Sequence, residues 1–147
     1  MPAKDPATAP PGDGRAADEA AVAVLRAAHP SLVAVYRFGS SVTGTARTDS
    51  DIDLAVLGER PLEPVERFDL QERIAAVLRR QVDLVDLRTA STVMASQVIT
   101  TGVLLFEGKA NERERFEDFI YGRYARLNEE RRGILERVAA EGTIYGR

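Results

Sequence analysis

The sequence predicts an α/β fold in which a small mixed sheet of about four strands is flanked by helices and followed by a long C-terminal helical extension. Two observations lead to this prediction. Short apolar runs rich in β-branched residues alternate with longer segments whose apolar residues recur at helical spacing. From position 111 to about 140 the apolar residues keep that helical spacing with no proline. A chain of 147 residues accommodates one domain with a substantial core.

Composition narrows the functional classes. The formal net charge of −3 argues against binding nucleic acid through a basic face. The absence of cysteine excludes a disulfide framework, a thiolate metal site and a thiol nucleophile. No apolar run approaches the length of about 18 residues that crosses a membrane, and the N-terminus lacks the order of a signal peptide. We therefore expect a cytoplasmic protein with no membrane or direct nucleic-acid partner.

Two predicted strands carry the candidate chemistry. Residues 32–38 contain no glycine or proline and end at Gly39-Ser40, which is typical of a strand followed by a turn. Residues 51–57 alternate, so that Asp51, Asp53 and Ala55 share one face of a strand. We expect the opposite face to be packed and this face to carry the charge.

The spacing of the two carboxylates indicates a metal site. On a strand their Cα atoms lie roughly 6.7 Å apart. Carboxylates about 5 Å apart repel by about 3 kcal/mol at an effective dielectric constant near 20, which a divalent cation more than offsets. Asp51 and Asp53 therefore predict a Mg²⁺ site, and two such ions about 4 Å apart can hold both ends of a phosphoryl displacement. Gly39 and Ser40 are the candidate phosphate-binding residues, because glycine allows close backbone approach and serine adds a donor.

A family resemblance follows from these residues. Gly39-Ser40, ten intervening residues and then Asp51-Ile52-Asp53-Leu54 resemble the GSx10DxD signature of the DNA polymerase β-type nucleotidyltransferase superfamily, and specifically its minimal (MNT) members. The resemblance covers roughly residues 20–110. It implies a nucleotidyltransferase fold and a Mg-dependent transfer of a nucleoside monophosphate. Chains of this kind resemble the antitoxins of HEPN/MNT toxin–antitoxin modules, which attach AMP from ATP to a tyrosine of the HEPN ribonuclease toxin.

A third carboxylate is expected on a third strand, residues 81–87. The helix predicted over 65–80 is long enough for a crossover that places this strand beside the Asp51–Asp53 strand. Because alternate residues face opposite ways, Asp83 and Asp86 cannot both point into the site. The resemblance implies that Asp83 is the metal-linked general base, which leaves Asp86 as a strand-end or loop contact.

Two further residues have alternative interpretations. Arg47 lies in the polar loop between the two halves of the motif, where it either reaches the triphosphate or is solvated. Many relatives carry a basic residue earlier in this loop, where Thr43 stands. His29, the only histidine, is either a general acid or base or a structural residue near a helix C-terminus.

We divide the chain into a disordered tail (1–16), a nucleotidyltransferase domain (17–110) and a helical extension (111–147). Asp18 is expected to cap the first helix and Asn111 the last. A further helix is predicted over 89–101 and a fourth strand over 102–108. The long helix either packs back on the domain or forms a partner interface.

Two functional alternatives stay open beside AMP transfer to a toxin. One is a small-molecule nucleotidyltransferase of the aminoglycoside-modifying type. The other is an antitoxin that neutralises by binding alone.

Overall fold

The computed structural model describes residues 13–39 and 51–142. Their elements confirm the predicted fold class, with four strands and four helices in this part of the chain. The order is α1 (Asp13–Ala28), β1 (Ala34–Phe38), β2 (Ile52–Leu57), α2 (Pro64–Leu78), β3 (Val82–Asp86), α3 (Thr92–Thr101), β4 (Val103–Glu107) and α4 (Ala110–Gly142). Ser40, Arg47, most of the N-terminal tail and the last five residues lie outside the described ranges.

The four strands form one mixed sheet in the order β3-β2-β1-β4. β2 and β3 are parallel, joined through α2 as the sequence predicts, whereas β1 runs antiparallel to both β2 and β4. The crossover therefore places the predicted third strand directly beside the Asp51–Asp53 strand. The start of β2, the start of β3 and the end of β1 all lie at the same edge of the sheet.

The sheet is buried on both faces, and each face has its own apolar core. One face packs against α1 and α2 through the side chains of Val35, Leu54, Val56 and Leu84 on the strands and of Leu25, Leu70 and Ile74 on the helices. The other face packs against α3 and α4 through the side chains of Tyr36, Phe38, Ala55 and Leu57 on the strands and of Val98, Ile99, Phe116 and Ile120 on the helices. Ala55 and Leu57 follow Asp53 on its own face and are fully buried. This face of β2 carries the charge of Asp53 at its start, as expected, but from Ala55 onward it is also packed in the core.

The start of α1 corrects one prediction. The helix begins at Asp13, so Asp18 lies inside it and is not its cap, and residues 13–16 are helical although the sequence placed them in the tail. The side chain of Asp18 is buried and forms an ion pair with Arg37 of β1, with Oδ1 and Nε 3.0 Å apart. Burial raises the pKa of the Asp18 carboxyl, and the nearby Arg37 charge opposes that rise.

Helix periodicity overestimated the apolar face of α2. Leu70 and Ile74 are buried, but Val65, Phe68 and Val77 are at least half exposed. Val93 of α3 is also exposed, while Val98 and Ile99 pack in the core. Apolar spacing identified the helices correctly, but it could not show how wide a stripe the sheet covers.

α4 is one continuous helix of 33 residues that passes through Gly122 and Gly133 without a break. It begins at Ala110, so Asn111 lies in its first turn and does not precede it. Its first turns pack on the sheet, with Phe116 and Ile120 buried, whereas every residue from 129 to 141 is exposed. Within the described ranges no helix, α4 included, combines the length and apolar character needed to cross a bilayer.

Candidate active site

Asp53 and Asp83 are brought together by the parallel pairing of β2 and β3. They are directly opposite one another in the register, and both point to the α3–α4 face of the sheet. Adjacent strands lie about 4.8 Å apart, so the two carboxylates share one small region. Strand parity predicted only that Asp83 and Asp86 face opposite ways, and the family resemblance selected Asp83. The structure places Asp83 directly opposite Asp53.

Asp51 lies just before β2 and is exposed. The backbone N–H of Ile52 donates to the carbonyl of Gln81 at 3.0 Å, which holds the start of β2 against the start of β3. The charge of Asp51 acts on Asp53, as does the charge of Asp83. The structure therefore gathers the three predicted carboxylates at one edge of the sheet.

The pKa of the Asp53 carboxyl is raised above its usual value. Burial is the largest cause, followed by repulsion from Asp83 and then from Asp51. Both repulsions are relieved by a cation or by a proton. An acidic group held in this unfavourable environment is a candidate for function rather than for stability.

Gly39 places the turn after β1 directly against this carboxylate. Its φ is +79°, a left-handed conformation that glycine adopts without strain. A Cβ at this position would overlap Oδ2 of Asp53. Phe38, the preceding residue, is the register partner of Asp53. The predicted convergence of a glycine turn and a carboxylate cluster is thus present in the structure.

The donor set fits Mg²⁺ bound together with a nucleotide. Within residues 13–39 and 51–142, no group of three or more histidine, aspartate or glutamate side chains is arranged to hold a metal ion by itself. Magnesium commonly uses one or two carboxylates, several waters and the oxygens of substrate phosphates. Asp53, with Asp51 and Asp83 beside it, supplies such a partial set.

Two other titratable candidates lie elsewhere. Asp86 is buried, and its carboxylate accepts hydrogen bonds from the N–H groups of Leu62 at 2.8 Å and Arg88 at 2.9 Å. It makes the strand-end or loop contact that was expected once the family resemblance had assigned Asp83 to the site. Nε2 of His29 lies 3.2 Å from Oε2 of Glu66, beside the loop that follows the end of β2. His29 is therefore at the opposite end of β2 from the aspartates, which favours its structural interpretation.

Sequence reasoning missed two buried polar contacts near the site. One is the Asp18–Arg37 ion pair, which joins α1 to the strand two residues before Gly39. The other joins Tyr36 to Glu117, 81 positions later, by a hydrogen bond of 2.7 Å. No local pattern marks either pair, because the partners belong to elements that meet only in the folded chain.

Comparison with known proteins places these features in a family. A model of the polymerase beta nucleotidyltransferase family matches residues 22–111. The protein adenylyltransferase MntA of Shewanella oneidensis is 40% identical over 119 residues, which span 81% of this chain and 85% of that protein.

Solved structures of toxin–antitoxin complexes are similar as well. One, a toxin–antitoxin with AMP-PNP, superposes with a TM-score of 0.74 at 38% identity and covers 83% of this chain and 98% of that one. Another contains a tri-AMPylated Shewanella oneidensis HEPN toxin in complex with its MNT antitoxin. It superposes with a TM-score of 0.71 at 35% identity, covering 85% of this chain and 98% of that one. The residues matched by the family model, 22–111, include Asp51, Asp53 and Asp83.

Proposed function

Because this chain belongs to the polymerase beta nucleotidyltransferase family, we propose that it is an antitoxin that transfers AMP from ATP to a hydroxyl group of a cognate HEPN toxin. The acceptor in this proposal is a tyrosine, and its modification neutralises the toxin. The observation that carries the proposal is the position of Asp53, which lies against the Gly39 turn and opposite Asp83. Asp53 therefore lies between the Gly39 turn, which would bind the phosphates of ATP, and Asp83, which would help to bind the cation.

The proposed reaction is a displacement at the α-phosphorus of ATP. The acceptor oxygen forms a bond to that phosphorus, the bond from the phosphorus to the bridging oxygen of pyrophosphate breaks, and pyrophosphate leaves. Asp83 takes the proton of the acceptor hydroxyl. Asp83 suits this role because it is exposed at the start of β3, where an acceptor has access to it.

Asp51, Asp53 and Asp83 would hold Mg²⁺ in this proposal. The bound ion supplies charge neutralisation on the triphosphate and relieves the repulsion that raises the pKa of Asp53. Gly39 lets the backbone approach the phosphates closely, with Ser40 and Arg47 as the further phosphate contacts that the sequence proposes. Such catalysis consists mainly of positioning and charge neutralisation, which a small domain can provide.

The HEPN partner is proposed from the relatives. One solved complex pairs an MNT antitoxin with a HEPN toxin, and that toxin carries AMP groups. This chain shares the fold of those antitoxins over nearly their whole length. An AMP-PNP-containing complex supports ATP as the nucleotide.

The test is transfer of label from α-labelled ATP to the product of the adjacent reading frame, taken as the candidate toxin, in the presence of Mg²⁺. We expect label on the toxin with the wild type and a loss of at least about 10²-fold with Asp53→Asn, since a single charge-stabilising group contributes that much. Asp69→Asn is the matched control, because Asp69 is an exposed aspartate on α2. Chelation of divalent cations with EDTA should abolish the transfer.

The other outcomes separate the alternatives. Neutralisation of the toxin without label, unaffected by Asp53→Asn, would replace this proposal with one of binding alone. Label that transfers to an aminoglycoside and not to the protein would favour the small-molecule alternative.

A further inference from the structure

The face of α4 that packs on the sheet continues beyond the domain. Phe116 and Ile120 are buried on this face, and Tyr124 and Leu127 are partly buried. The next apolar residues at the same helical spacing, Ile134 and Val138, are 50% and 58% exposed. The last turns of the helix therefore present an apolar face that no described residue covers.

The spacing of this face is that of a coiled-coil seam. The positions alternate in steps of four and three, and the seam consists of Ile120, Tyr124, Leu127, Arg131, Ile134 and Val138. Leu135, the most exposed large apolar residue of α4 at 67%, borders the seam. Arg131 is its one charged member, and an arginine can pack its aliphatic stem while its head reaches water.

The charges beside the seam are complementary between two antiparallel copies of the helix. Glu130 and Arg137 occupy the same flanking position one heptad apart, and both are exposed. When two copies of the helix align antiparallel with Leu127 against Val138, Arg131 lies against Ile134. In that register Glu130 of each copy lies opposite Arg137 of the other, which makes two symmetric ion pairs.

We propose that residues 127–141 of α4 pair antiparallel with the same segment of a second copy of this chain. The proposal does not depend on the proposed AMP transfer, since it rests only on the α4 surface. The pairing is weak, because the overlap is only about two heptads, and we expect dissociation in the micromolar range.

A groove at the point where α4 extends beyond the domain accommodates the end of the second helix. It has a volume of about 410 Å³ and lies between Thr92 at the start of α3 and the surface of α4. The α4 residues that line it are Phe119, Arg123, Arg126, Leu127 and Glu130. In the antiparallel register Glu141 of the second copy lies beside Tyr124, next to the end of the groove where Arg123 and Arg126 lie. Its charge is opposite to that of the two arginines, which further favours a second copy as the occupant.

The first test is molar mass in solution, measured by light scattering and sedimentation over a wide range of concentrations. We expect the wild type to pass from monomer to dimer, and Ile134→Glu to raise the dissociation constant at least about tenfold by placing a charge in the seam. Val77→Glu is the matched control, since Val77 is a similarly exposed valine on α2. Circular dichroism checks that both variants remain folded.

A charge exchange tests the register. Glu130→Arg and Arg137→Glu should each weaken the dimer about two- to fivefold, because each change turns two attractive pairs into repulsive ones. The double variant restores both pairs with reversed sign and should recover wild-type dissociation. A double variant that is weaker than either single one would overturn the register.

Disulfide trapping tests the orientation, because the chain contains no cysteine of its own. A mixture of the Leu127→Cys and Val138→Cys proteins should form the mixed disulfide-linked dimer faster than either protein forms a dimer with itself. Faster self-linking of both single variants would indicate a parallel pair and overturn the antiparallel arrangement.

The competing occupant is the HEPN toxin. A wild type that stays monomeric at every concentration, combined with weaker toxin binding by Ile134→Glu, would overturn the second-copy proposal and assign the face to the toxin. Because Ile134 lies outside the carboxylate cluster, ATP binding by this variant should be unchanged in either case. Failure of this proposal is therefore distinguishable from failure of the AMP-transfer proposal.

Discussion

The carboxylate of Asp53 lies where its negative charge is unfavourable in the free protein. It is partly buried, and two further carboxylates act on it from neighbouring positions. Function requires this arrangement if the site is to bind a cation and a nucleotide. The same arrangement reduces the stability of the fold, so substitutions of single residues should affect stability and function in opposite directions.

Asp53→Asn should stabilise the free protein at neutral pH. The pKa of Asp53 is raised, so the folded protein holds the proton more tightly than the unfolded chain does. The charged form therefore lowers the free energy of unfolding above the folded pKa. This loss disappears as the pH falls through the folded pKa to the ordinary aspartate value of about 3.9. We expect a gain of less than about 1 kcal/mol, because the site is partly exposed and screened.

Thermal unfolding between pH 3 and 8 measures this effect. The variant should melt above the wild type at pH 7, and the two should converge at the acidic end of the range. Added Mg²⁺ should narrow the difference at pH 7 by stabilising only the wild type. A gain that is the same at every pH, or that also appears in Asp69→Asn, would contradict this explanation.

Gly39→Ala should damage both the turn and the site. The backbone there has a positive φ, and the added Cβ would overlap the Asp53 carboxylate. We expect a loss of about 1–3 kcal/mol in the free energy of unfolding and of about 10²-fold in AMP transfer, since small displacements of positioned groups are costly.

Gly122→Ala provides the contrast, because a Cβ there meets nothing within 4 Å. Because this position lies in the interior of α4, Gly122→Ala should raise the free energy of unfolding by up to about 1 kcal/mol. Urea unfolding and the transfer assay measure both variants. Equal behaviour of the two alanine variants would refute the assigned role of Gly39.

At the scale of elements, a buried polar cluster anchors α4 to the sheet. Oη of Tyr36 donates to Oε2 of Glu117 at 2.7 Å, and Nη1 of Arg113 donates to the same oxygen at 2.8 Å. Nε of Arg113 also donates to Glu107 of β4. Burial raises the pKa of Tyr36, and the Glu117 carboxylate raises it further. Arg113, which is 1% exposed, therefore joins α4 to β4, and Glu117 beside it joins α4 to β1.

Replacing Arg113 should lower the free energy of unfolding far more than removing the hydroxyl group of Tyr36. Arg113→Met leaves Glu107 and Glu117 without their cation, and we expect a loss of about 3–5 kcal/mol. Tyr36→Phe leaves the Arg113–Glu117 pair intact and should cost about 1 kcal/mol. Arg115→Met, at an exposed arginine of the same helix, is the control. Urea titration of the three variants measures the free energy of unfolding of each. A similar loss for both methionine variants would show that the cluster does not anchor the helix.

At the scale of the whole molecule, the sheet lies between two helical layers, and this arrangement determines where chemistry is possible. The start of β2, the start of β3 and the end of β1 meet at one edge, where Asp53, Asp83 and Gly39 lie together. His29 and Asp86 lie toward the opposite edge and contribute packing and loop contacts. The rigid, doubly covered strands hold the carboxylates in place, and α4 extends beyond the domain with its apolar face exposed.

Local patterns in the sequence were sufficient to predict the strands and to identify the pair of carboxylates. The period of two in a strand separated Asp83 from Asp86, and the structure agrees. It also predicted that Asp51 shares a face with Asp53, but Asp51 lies just before β2. The helices were also predictable from apolar spacing. These properties depend on residues close together in the chain, and backbone geometry relates such residues directly.

Only the tertiary structure decided which apolar and polar residues are covered. Val65 and Phe68 follow the helical period yet are exposed, while Asp18 is charged yet buried beside Arg37. The Tyr36–Glu117 bond and the contact of Gly39 with Asp53 join residues on different elements. Burial and ion pairing depend on which surfaces meet in space, and the order of residues along one helix or strand does not contain that information.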